Sequence, residues 1–132
     1  MKKTEGLMRF AFLTGFVIDL LAVFPLLFPP VARAMFGLGA APPGGDYLYV
    51  SRLGASLMAG WAVLLLWGSF RPMERKGLLL LTLFPVVAGL AGASVAAALS
   101  GFIRWPYLLP LWIVYALLIP LYMAAYFAGR RK

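Results

Sequence analysis

The 19 residues from Phe10 to Phe28 carry one charge, Asp19, near their middle. As a helix rising about 1.5 Å per residue, this run reaches about 28 Å, close to the thickness of bilayer hydrocarbon. The whole chain of 132 residues is 64% hydrophobic and only 12% charged. Soluble domains are about 25% charged, so composition argues against a water-soluble fold. The run therefore reads as a membrane span with a carboxyl group at mid-depth. A charged Asp there costs roughly 2.5 to 3.5 kcal/mol, so Asp19 must face protein or water, find a partner, or hold a proton. Ala11, Gly15, Asp19 and Ala22 follow a 4, 4, 3 spacing, which puts small residues on the face that carries the acid. Small residues let a neighbouring helix come close.

Three further apolar segments follow, and the expected spans are about 9–28, 47–70, 77–99 and 106–127. The expected fold class is all-α: one domain covering residues 1–132, a polytopic membrane protein with four transmembrane helices in a bundle. Pro29-Pro30 ends the first span, because proline biases the preceding residue toward extended geometry. The longest connection comes next. Its first half, Val31 to Leu38, fits a short helix lying in the membrane interface or a plain loop, and Ala41-Pro42-Pro43-Gly44-Gly45 must turn. Span 2 crowds Gly54, Ala55, Ser56, Ala59 and Gly60 into its first half. Span 3 contains Pro85 and two small-residue ridges, Gly89/Ala93/Ala97 and Ala88/Gly92/Ala96, so it is expected to be the central or oligomer-forming helix.

The net charge of +8 would raise the question of nucleic acid in a soluble protein, but the basic residues sit at span ends. One side of the membrane receives nine (Lys2, Lys3, Arg9, Arg71, Arg75, Lys76, Arg130, Arg131, Lys132) and the other three (Arg33, Arg52, Arg104). The positive-inside rule then puts both termini in the cytoplasm, with membrane lipids as the partners of the basic ends and no separate support for nucleic-acid binding. The expected location is the bacterial cytoplasmic membrane. Lys2 and Lys3 before an apolar run, with Ala32-Arg33-Ala34 after it, resemble a cleavable signal. A signal h-region is about 7 to 15 residues and rarely holds a central acid, so the run is expected to stay as a span.

With no Cys, no His and four acids (Glu5, Asp19, Asp46, Glu74), the chain offers no thiolate chemistry, and a dedicated metal site or a cofactor is not expected. The candidate ligand-binding residues are Asp19, Arg52, Ser56, Trp112, Tyr115 and Tyr122. Arg52 is the obvious charge partner for Asp19, since the two lie about 8 and 14 Å below the same membrane surface. Helical side chains lean toward their own N-terminus, however, which sends Arg52 outward and Asp19 inward, so snorkelling competes with pairing. Trp112, Tyr115, Tyr122 and Tyr126 form an aromatic stripe in span 4. These residues either line a cavity for an amphipathic ligand or, for Trp105, Tyr107, Tyr122 and Tyr126, form an interfacial belt that leaves only Trp112 and Tyr115 deep.

The segment Arg52-Leu53-Gly54-Ala55, then Gly60-Trp61-Ala62, Trp67 and the Arg71-Pro72-Met73-Glu74-Arg75-Lys76 turn resembles small bacterial four-helix membrane proteins of the broadly DoxX-like kind. The resemblance covers mainly spans 2 and 3 and implies the four-span bundle, with no catalytic residue carried over. Three function classes follow. A protein that binds or transports a small amphipathic or lipid-like molecule is favoured by Asp19, the aromatic stripe and the proline breaks. A structural or accessory subunit, or a homo-oligomer joined through span 3, is favoured by the small-residue ridges. An enzyme comes third, because Asp19 beside Tyr or Arg is a sparse catalytic constellation.

Overall fold

The computed structural model describes residues 2–130, and among them there are helices and no strands. Helix α1 (Lys2–Leu27) is followed by α2 (Pro29–Phe36), α3 (Gly45–Phe70), a third span built from α4 (Gly77–Leu81), a wide-turn segment (Thr82–Val87) and α5 (Ala88–Leu99), and finally α6 (Trp105–Arg130). Four of these units, of 26, 26, 23 and 26 residues, are long and apolar enough to cross a membrane. The chain is a multi-pass membrane protein. Spans 1, 2 and 4 run a few residues beyond their expected bounds, because helix continues into the polar ends where hydropathy falls but hydrogen bonding does not.

Pro29 and Pro30 end α1 and also begin α2, where proline fits the first turn because the amides there need no helical partner. The short helix expected between spans 1 and 2 is therefore present. It stops at Gly37, whose φ of +62° suits glycine. A Cβ there would lie 2.4 Å from the Tyr107 ring, so the same glycine lets α6 close over the end of α2. In the third span Phe84 leaves helical geometry (φ −137°, ψ 116°). It precedes Pro85, and the residue before a proline is pushed out of the α region. Pro110 and Pro120 leave α6 unbroken.

Burial follows a 3.5-residue period. On α6 the buried residues are Leu108, Tyr115, Leu118, Tyr122, Ala125 and Gly129, and on α3 Ser51, Ala55, Ala62, Leu65 and Ser69 lie on one seam. That spacing is the signature of helices packed at a shallow left-handed crossing. In lipid, apolar burial gives little drive, and close van der Waals fit holds the helices together. Met8 covers Gly129, with its sulfur 2.9 Å from where a Cβ would be, and Phe12 covers Gly68 at 2.7 Å. The start of α1 and the end of α6 therefore lie at one end of the bundle, where Lys76 also donates to the Gly129 carbonyl (3.2 Å). The core of Met8, Phe12, Leu65, Leu79, Leu118 and Tyr122 fills that half.

Of the two roles expected for span 3, the central one is not what the structure shows. Ala88, Gly89, Gly92, Ala93 and Ala96 are exposed, and nothing approaches Gly89 or Gly92. The buried side of α5 is instead marked by Ser94. A hydroxyl is less suited to lipid than alanine, so the helix turns its polar side inward and its small-residue ridges outward.

Candidate functional site

Helix α1 buries Met8, Ala11, Phe12 and Gly15, and Asp19 lies one turn further along the same face. The face of small residues inferred from Ala11, Gly15, Asp19 and Ala22 is thus turned toward protein, with Ala22 and Asp19 half-buried at its end. Its neighbours are α6 and, through Leu65, α3. A Cβ on Gly15 would lie 1.7 Å from the Tyr122 hydroxyl oxygen, so the phenol sits in the space the glycine leaves. Gly15–Tyr122 and Met8–Gly129 are each separated by seven residues on both helices, which fixes the antiparallel register and sets Asp19 level with Leu118. Asp19 then lies between Tyr122, one turn toward the termini, and Tyr115, one turn away from them.

Four side-chain atoms in this region are buried with no hydrogen-bond partner: Asp19 Oδ2, Trp112 Nε1, Tyr115 OH and Tyr122 OH. Trp112 meets Tyr115 edge to face, with ring centroids 5.7 Å apart. Ser94 of α5 is beside the Tyr115 phenol; its hydroxyl donates to the Leu90 carbonyl (2.9 Å) and keeps its acceptor lone pairs facing the phenol's side of the helix pair. By contrast Trp61 and Thr82 satisfy each other, Nε1 donating to Oγ1 at 3.1 Å, and Thr82 donates onward to the Leu78 carbonyl. The orphan groups thus lie at Asp19 on α1 and along about 15 Å of α6, from Trp112 to Tyr122. The set comprises one carboxyl, two phenols and one indole N–H, that is, acceptors on the carboxyl and phenols and donors on the phenols and indole.

Arg52 and Ser56 do not join this set. Both are exposed on α3, and Ser56 donates to the Arg52 carbonyl (3.1 Å). Among the described residues the ion pairs are Arg9–Glu5 and Arg71–Glu74, so Asp19 is not paired with Arg52. The outward lean of Arg52 prevails over the pairing, as expected when one partner has a headgroup region within reach. Tyr122 also departs from the belt reading: it is fully buried, whereas Trp105 is 54% exposed. Gly15 was legible only as a small residue; its role as the seat of the Tyr122 hydroxyl depends on a register that spacing within one helix does not contain. A repeat of seven through Leu108, Tyr115, Tyr122 and Gly129 is the signal that marks Tyr122 as buried.

Comparison with protein-family models, curated proteins and solved structures gives no match for this chain. Among the described residues no cluster of His, Cys, Asp or Glu is arranged to hold a metal ion.

Proposed function

We propose that this protein sits in a bacterial cytoplasmic membrane with both termini in the cytoplasm, and binds or carries a small amphipathic or lipid-like molecule whose polar head occupies the Asp19 site. The orientation rests on the nine-to-three distribution of basic residues. The function rests on one observation, the four buried and unpartnered polar atoms carried by α1 and α6. Each such group costs roughly 1 to 3 kcal/mol, and hydrocarbon offers no relief. A ligand with a small amine or hydroxyl head recovers part of that cost by donating to Asp19 and to the Tyr115 and Tyr122 oxygens, one turn to either side, while its chain remains among the helices and lipid.

Binding of radiolabelled dodecylamine to the protein in nanodiscs, measured above empty discs, tests this reading. Asp19→Asn keeps the shape and removes the charge, and is expected to weaken binding by about 10- to 100-fold, the range of a hydrogen bond to a charged group. Binding unchanged in Asp19→Asn would overturn it. A second reading, a non-catalytic accessory subunit, is favoured by the exposed ridges of α5. It expects no saturable binding and a specific assembly that Gly92→Leu disrupts.

A further inference from the structure

At the end of the bundle opposite the termini, two depressions share Tyr47 as a common wall. The first, of about 370 Å³, is framed by α2, the 37–44 loop and Phe102 from the turn between α5 and α6, and its one charged side chain is Arg33. The second, of about 570 Å³, follows the seam between α1 and α3 from Asp46 through Val50 to Gly54, with Leu26 opposite, and its one charged side chain is Asp46. Among the described residues neither Arg33 nor Asp46 is in an ion pair. Arg33 donates to the Ala40 and Ala41 carbonyls, which fixes its place but leaves its charge uncompensated. A guanidinium has five N–H donors, so donors remain for a further acceptor.

The second depression descends along α3 from Asp46 to Gly54, a rise of about 12 Å, from the helix end toward the membrane interior. Val50 is 65% exposed and lines it. The Ser51 hydroxyl donates to the Leu26 carbonyl (2.5 Å), so it presents no spare donor to the groove. Gly54 contributes no side chain, and a Cβ built on it would just touch the Leu26 methyls at 3.8 Å, so the floor of the furrow between the two helices has room for a methyl-sized group. A cation, an anion and an aromatic ring thus stand at headgroup level above an apolar furrow.

We propose that this composite surface binds a glycerophospholipid with a zwitterionic primary-amine headgroup from the leaflet opposite the termini. The phosphate meets Arg33, the ammonium meets Asp46 beside the Tyr47 ring, and one acyl chain follows Val50 to Gly54. A headgroup with phosphate alone leaves Asp46 facing a like charge, and a simple cation leaves Arg33 unanswered. The site is separate from the Asp19 cluster, since none of that cluster's residues lines either depression. Its failure leaves the amphiphile reading untouched.

Native mass spectrometry of the protein released from membranes of equimolar phosphatidylethanolamine and phosphatidylglycerol tests the proposal. The ethanolamine lipid is expected to be enriched about fivefold among retained lipids, the contribution of one charge near a membrane surface. Asp46→Asn keeps the side-chain volume and is expected to erase the enrichment. Gly54→Leu fills the furrow and is expected to lower retention of both lipids. Retained lipid matching the bulk ratio, enrichment of phosphatidylglycerol, or an Asp46→Asn variant of unchanged melting temperature and unchanged ratio would each overturn it.

Discussion

Gly15→Ala is the most informative single change, because it adds one methyl group at the point where α1 and α6 come closest to the Asp19 site. The new Cβ would lie 1.7 Å from the Tyr122 hydroxyl oxygen, 2.9 Å from Leu65 Cδ1 and 3.1 Å from Tyr122 Cζ. Favourable contact between heavy atoms begins at about 3.5 Å, so the hydroxyl must retreat by nearly 2 Å. Tyr122 is fully buried in the core, and its rigid ring moves only by an off-rotamer turn or by parting the helices. Overpacking of this kind costs about 1 to 3 kcal/mol, against a gain of up to about 1 kcal/mol from replacing a helical glycine with alanine. Gly15→Ala is therefore expected to lose about 1 to 2 kcal/mol. Removing the oxygen that clashes restores most of the loss: in Gly15→Ala/Tyr122→Phe the nearest ring atom is the one at 3.1 Å, which has to give by only a few tenths of an ångström. Tyr122→Phe alone is expected to be neutral or stabilising, since it deletes a buried hydroxyl with no partner. A double-mutant cycle by reversible unfolding in mixed micelles should give a coupling of about 1 kcal/mol. Strictly additive losses would refute the register that places Tyr122 on Gly15, and with it the position assigned to Asp19.

Trp61→Phe removes the donor to Thr82 that ties α3 to the third span, and should cost about 0.5 to 1.5 kcal/mol in the same unfolding assay. Gly92→Leu should leave monomer stability within about 0.5 kcal/mol, because its surroundings are open, and a changed particle size in detergent would then report on assembly alone. Reporter fusions after Lys132 and within the 40–46 loop should give opposite compartments, with the first in the cytoplasm; signals from the same side would contradict the assigned orientation.

The four spans were legible because membrane crossing depends on length and hydropathy, both of which a linear sequence records without reference to neighbours. Pro29-Pro30 was readable as the end of α1 for the same reason, and its second role at the start of α2 follows from the spare amides of a first helical turn. What depends on partners was less readable. The small face of Gly15 announced a close neighbour, but not that the neighbour was the hydroxyl of Tyr122, because the offset between α1 and α6 is set by side-chain fit along both helices. Arg52 shares an approximate depth with Asp19, yet depth says nothing of azimuth, and the side chain lies on an exposed face. In span 3 nearly every position of α5 is small, so composition gave no preferred packing face. Ser94, the one hydroxyl along the buried side, marks it.

The central claim, that the orphan polar groups around Asp19 receive the head of an amphiphile, is tested most directly by photocrosslinking. A dodecylamine carrying a diazirine near its nitrogen, photolysed with the protein in nanodiscs and mapped by tandem mass spectrometry, should label α1 around residues 15–22 and α6 around residues 112–122. Unlabelled dodecylamine should compete, and Asp19→Asn should lose the adducts. Adducts spread over lipid-exposed residues such as Leu57, Leu99 and Leu117, with a pattern that Asp19→Asn does not alter, would contradict the account.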